Sequence, residues 1–163
     1  MKAQRAMCFG LVIALLCLAR PASAGTGRQS TTFLIAADEA VVCRWLEENG
    51  SAVDESTGAE VLAVQGHQSK LRKETKEGVF TFIVEHEPAQ HGFFRTVLLK
   101  SDKENLAAQE TEIQVQREGE ATRVTIRVTA TVTGHTGMAI SIGIRPSLKG
   151  MKKLLETQFG VPQ

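Results

Sequence analysis

From residue 60 to residue 133 apolar and polar side chains change places almost every residue, and turn-forming residues interrupt the alternation at short intervals. The clearest run is 122–133, where Val124, Ile126, Val128, Ala130 and Val132 share one face and Thr125, Arg127, Thr129, Thr131 and Thr133 the other. Phe80, Phe82 and Val84 alternate likewise, and Ile113 and Val115 do so against Glu112, Gln114 and Gln116. The pattern predicts six antiparallel strands, at 60–65, 68–75, 79–87, 92–100, 107–117 and 122–133. Reversals are expected near Gly66-His67, Lys76-Glu77-Gly78, Glu87-Pro88-Ala89-Gln90, Ser101-Asp102-Lys103 and Glu118-Gly119-Glu120. A sheet with one apolar face needs a cover.

Before this region, the β-branched and aromatic run Thr31-Thr32-Phe33-Leu34-Ile35-Ala36 predicts a first strand. Asp38 can then cap a helix, because its carboxylate accepts free amide hydrogens of the first turn, and Val41, Val42, Trp45 and Leu46 recur at helical spacing up to Asn49-Gly50. Residues 51–58 fit a loop or a short helix. Near the other end Pro146 suits the first turn of a helix, with Leu148, Met151, Leu155 and Phe159 on one stripe opposite Lys149, Lys153 and Glu156. That helix is the expected cover. The join at 134–144 is open, since Met138, Ile140, Ile142 and Ile144 alternate like a strand while Gly137 and Gly143 frame a possible early helical turn.

Residues 1–24 have a basic start (Lys2, Arg5), an apolar stretch from Met7 to Ala19 and the small-residue ending Ala22-Ser23-Ala24. This is the layout of a cleaved secretory signal, and its apolar stretch is shorter than the ~20 residues of a membrane-spanning helix. No transmembrane anchor is expected, and residues 25–30 read as a flexible leader to a single domain at 31–160. Of 19 basic and 18 acidic residues the signal takes three basic ones, so the remainder carries a net charge of −2 and lacks the basic excess of a nucleic-acid binder. Cleavage also removes Cys8 and Cys17, leaving Cys43 alone, without an intrachain disulfide partner, as a small apolar side chain of the first helix. The expected destination is the periplasm or the extracellular space.

The order of elements, with Ala36-Ala37-Asp38-Glu39-Ala40-Val41-Val42 entering the first helix, hairpins carrying Gly78 and Gly92, the strand 122–133, and Ile144-Arg145-Pro146-Ser147-Leu148-Lys149-Gly150 leading the last helix, resembles the START-like helix-grip fold of the SRPBCC superfamily over roughly residues 30–160. That superfamily includes polyketide cyclases, lipid carriers and the pollen-allergen group. A cystatin-like fold would place its long helix early, and a lipocalin-like barrel has no helical excursion after its first strand. The resemblance implies an α+β fold, a seven-stranded antiparallel sheet curved around a long C-terminal helix, and an apolar cavity between them. The alternation offers Phe80, Phe82, Phe94, Leu98, Ile113, Val115, Ile126 and Val128 as its lining, with Leu148, Met151 and Leu155 above. A filled core would use the same residues. Arg95 joins the candidates because both faces of Phe93-Phe94-Arg95-Thr96-Val97-Leu98-Leu99 carry apolar residues, so an inward Arg95 would need an anionic partner.

No catalytic constellation emerges. His67, His86, His91 and His135 form no close-spaced ligand motif, although Glu85-His86-Glu87 and His91 flank one expected turn, so neither metal nor cofactor is expected. Ser101, Ser141 and Cys43 lack the motif of an activated nucleophile, and the chain has no Tyr. The run Lys70-Leu71-Arg72-Lys73-Glu74-Thr75-Lys76-Glu77 reads as a solvated or edge strand, which with Lys149, Lys152 and Lys153 could form a basic face. Asn49-Gly50-Ser51 matches a glycosylation acceptor and equally a helix end. The expectation is an exported, noncatalytic protein that binds a hydrophobic small molecule or lipid. Its rivals are a cyclase-like enzyme using Arg95 and an interaction module with a protein partner in the cell envelope or extracellular space.

Overall fold

The computed structural model describes residues 23–162, so the proposed signal lies outside the described residues apart from Ser23 and Ala24. Seven strands, β1 (Ala24–Ile35), β2 (Glu60–Gln65), β3 (Gln68–Thr75), β4 (Gly78–Gln90), β5 (Phe93–Ser101), β6 (Leu106–Glu118) and β7 (Ala121–Thr133), make one sheet. Its order is β1-β7-β6-β5-β4-β3-β2, antiparallel throughout. Two helices, α1 (Glu39–Glu48) and α2 (Gly50–Ser56), fill the excursion between β1 and β2, and α3 (Gly137–Phe159) closes the chain. This is the α+β architecture expected from the element order.

Local chemistry explains the boundaries. Asp38 Oδ1 accepts from the Ala40 amide at 2.9 Å and starts α1. Asn49 ends it, its Nδ2 donating to the Trp45 carbonyl at 2.9 Å. Thr136 Oγ1 accepts from the Ala139 amide and starts α3, and Gly160, at φ +77°, ends it. The Thr122 hydroxyl donates to the Ala37 carbonyl at 2.7 Å, fixing the passage from β1 into α1 against β7.

Three expectations change. Gly25 to Ser30 is no flexible leader: β1 begins at Ala24, and its whole length pairs with β7, whose ladder imposes extension on a glycine-rich stretch of weak strand propensity. Glu87-Pro88-Ala89-Gln90 is not a turn, because β4 runs on to Gln90 through an irregularity in its pairing with β5 that suits a proline without an N–H. The reversal falls on His91, at φ +50°, and Gly92, at φ +74°. Pro146 does not open the last helix, which begins nine residues earlier at Gly137. Ile140 and Ile144 are buried while Met138 and Ile142 are exposed, so the undecided segment follows the four-residue helical spacing that continues in Leu148, Met151 and Leu155.

α3 lies along β1 and β7 and reaches α2. A Cβ at Gly27 would stand 2.6 Å from the Ser141 amide nitrogen, so the close approach of strand and helix requires glycine there. Ser141 Oγ accepts from the Arg28 amide at 3.1 Å and donates to the Arg28 carbonyl at 3.3 Å, covering part of the free edge of β1.

The apolar interior has two separate parts. The larger joins Phe33, Ile35, Val42, Leu46, Val53, Ile113, Val115, Val124, Ile126, Val128 and Ala130 to Ile140, Ile144, Leu148, Met151 and Leu155 of α3. Trp45 and Phe159 meet edge to face at its rim, 5.6 Å between ring centres. The smaller comprises Ala59, Leu71, Phe82 and Val84, with half-buried Val61, Phe80 and Leu98 against it.

Candidate functional site

Polar side chains and two cavities lie along the interior beside these apolar parts. At the α1 and α2 end is a cavity of about 190 Å³, whose wall includes Leu46, Val53, Phe94 and Ile113 beside Ser69, His86 and Thr96, with Glu47, Glu48, His67 and Glu87 toward the surface. Beneath the middle of α3 is one of about 50 Å³, lined by Phe80, Phe82, Val128 and Met151 with Thr57, Lys73, Gln109, Thr111 and Ser147. The first is of the size that admits a single aromatic ring. The second has the volume of one to two waters in the liquid.

The expected lining residues therefore divide. Phe80, Phe82, Val128 and Met151 border the small cavity, while Phe94, Arg95 and Ile113 contribute to the wall of the larger one. Val115, Ile126, Leu148 and Leu155 are packed in the main core and Leu98 lies against the smaller apolar part, none of them on either cavity. Seven of the twelve thus border a cavity and five belong to packed apolar core.

Arg95 is held on the outer sheet surface. Strand alternation turns Phe94 and Thr96 inward and Arg95 outward, where Nη1 donates to Glu87 at 2.8 Å and Nε donates to Glu110 at 2.5 Å. Its side chain is 37% exposed and its charge is matched by two carboxylates, so the inward anion-seeking arginine is corrected.

The inward polar groups are others. His86 continues the phase of Phe80, Phe82 and Val84, and its Nε2 lies 3.0 Å from Asp54 Oδ2 and 3.2 Å from Ser69 Oγ. Nδ1 lies 3.1 Å from Thr96 Oγ1. An ionised carboxylate has no hydrogen to give, so Nε2 carries one, and in the neutral ring Nδ1 accepts from Thr96. Asp54 and Ser69 are buried, and Gly50 leaves room for the imidazole: a Cβ there would lie 3.3 Å from the ring. Ser69 and Asp54 meet the same nitrogen, whereas Thr96, His86 and Asp54 stand in the order hydroxyl, imidazole, carboxylate. His91 is exposed at the turn and does not join His86.

Lys73 is the second inward group. β3 is an inner strand, with β2 at the edge, so the expectation of a solvated or edge strand holds for the side chains of Lys70, Arg72 and Glu74 only. Ser69, Leu71, Lys73 and Thr75 face the other way. Lys73 Nζ donates to the Thr57 carbonyl at 3.0 Å and to Ser147 Oγ at 3.3 Å, and burial pushes its pKa below the ordinary lysine value.

No protein-family model matches the sequence, and no curated protein matches it significantly. Solved structures do match by shape. A START superfamily protein from Mycobacterium smegmatis aligns over 81% of this chain and 96% of its own, with a TM-score of 0.64 at 17% identity. A protein from Thermus thermophilus aligns over 82% and 98%, with a TM-score of 0.57 at 17% identity. A major latex-like protein from Panax ginseng aligns over 84% and 99%, with a TM-score of 0.60 at 12% identity. The fold is thus a START-like helix-grip fold, as the element order implied. Among the described residues no helix is long and apolar enough to cross a membrane.

Proposed function

We propose that the protein is an exported, noncatalytic carrier that holds a hydrophobic small molecule or lipid between its sheet and terminal helix. The carrying observation is the divided interior, where two apolar parts leave cavities whose walls mix aromatic and aliphatic side chains with polar ones. That combination is what a ligand of mainly apolar surface with one polar end requires. The signal-like residues 1–24 support delivery outside the cytoplasm, in a periplasm or beyond the cell.

Native mass spectrometry of the exported protein, followed by denaturation and identification of what is released, tests the reading. One apolar compound in reproducible excess mass is the expected result. A bare processed chain, unchanged after incubation with lipid extract, would overturn it and favour an envelope interaction module. A catalytic reading draws on the series Thr96, His86, Asp54 rather than on Arg95. Conversion of the released compound by the native protein, lost in His86→Gln, would favour it.

A further inference from the structure

The small cavity under α3 contains one ionisable group and no acid. Its wall has Lys73 among Thr57, Gln109, Thr111, Ser147 and apolar side chains, so Lys73 faces no titratable neighbour across it. Two hydrogens of the ammonium go to neutral oxygens, the Thr57 carbonyl and Ser147 Oγ, and among the described residues no carboxylate is paired with it. A half-buried charge whose hydrogen bonds reach only neutral acceptors carries a desolvation cost, and an anion relieves it.

Resting on the carrier reading above, we propose that Lys73 is the charge anchor for a ligand with a hydrocarbon body and a single carboxylate head. One cation matches one negative charge, and the head accepts from Nζ while Thr111 and Gln109 offer further donors. The volume of about 50 Å³ suits a planar carboxylate better than a phosphate ester with four oxygens. Phe80, Phe82, Val128 and Met151 meet the first carbons of the body. The rest needs the gap between α3 and the β3–β4 hairpin to widen, on the side where only four buried residues form the apolar part.

The test compares octanoate, dodecanoate and hexadecanoate with the alcohols and monoalkyl phosphates of equal length, by calorimetry on the processed protein and on Lys73→Met. The expected result is that one acid binds the native protein about tenfold or more tighter than its alcohol at neutral pH, and that Lys73→Met abolishes the preference while still binding the alcohol. In the native protein the preference also falls as pH rises toward the ordinary lysine range, because the ammonium is lost, while alcohol binding stays level. Equal binding of acid and alcohol, a preference that survives in Lys73→Met, or tighter binding of the phosphate would overturn the anchor and leave the carrier reading standing. Binding of none of these probes would count against both. Should Lys73→Met fail to fold, the pH series on the native protein still decides, since a loss of acid binding with level alcohol binding does not follow from a purely structural lysine.

Discussion

The β1, β7 and β6 side of the sheet and the β2 to β5 side share one alternating pattern yet enclose different interiors. On the first side sixteen buried residues, five of them from α3, form a continuous apolar mass. On the second only four do, and the inward positions that would complete the mass carry Ser69, Lys73, His86 and Thr96 instead. One side is packed apolar throughout, and the other has polar side chains in place of part of that packing. The division teaches that inward polar residues gather where the apolar packing is thinner, and that is the part the carrier reading assigns to a ligand.

The comparison breaks most readily through truncations. Leu155→Ala, in the main core, is expected to cost about 2–5 kcal/mol in urea unfolding, whereas Leu98→Ala, half-buried on the other side, costs about 1 kcal/mol or less. Equal losses would mean that the two sides contribute alike. Gly27→Val forces β1 away from α3 and is expected to cost about 1–3 kcal/mol by the same measurement; an unchanged midpoint would show that this contact adapts freely.

Lys73→Met sharpens the contrast in the opposite direction. Burial lowers the folded pKa of Lys73, so the unfolded chain binds more protons between that value and the ordinary lysine value, and native stability gains with rising pH across this window. The variant is expected to be about 1 kcal/mol more stable than the native protein at neutral pH, with the difference shrinking toward strongly alkaline pH. Thermal unfolding of both across pH checks the sign. The smallest effect concerns Cys43, whose thiol pKa is raised by burial first and by the Glu39, Glu47 and Asp38 carboxylates after it. It is expected to react more slowly than a free thiol with an alkylating reagent at pH 8, and an equal or faster rate would contradict that environment.

Much of this was legible in the sequence. Strands β2 and β3 match their expected limits, and the stripe Leu148, Met151, Leu155 sits on the sheet as read. Polar residues in apolar phase were the harder signal. His86 stands in step with Phe80, Phe82 and Val84, and Lys73 with Ser69 and Leu71, but the mixed charges of 70–77 invited averaging over the whole run where only the phase mattered. Asp54 belongs to a segment without strong periodicity, and its role as partner of His86 depends on tertiary placement. Pro146 illustrates the reverse error: local preference named a helix start, while the spacing of Ile140, Ile144 and Leu148 already carried the helix through it.

The pairing of β1 with β7 also governs the order in which the molecule can be assembled. The hydroxyls of Thr26 and Thr131 lie 3.0 Å apart and 105 positions apart in sequence, and the helix that seals the main core comes later still. Closing so wide a loop makes folding slow compared with a helical bundle of similar size. A chain emerging with its amino end first exposes Phe33 and Ile35 until β7 and then α3, their neighbours in the main core, have followed.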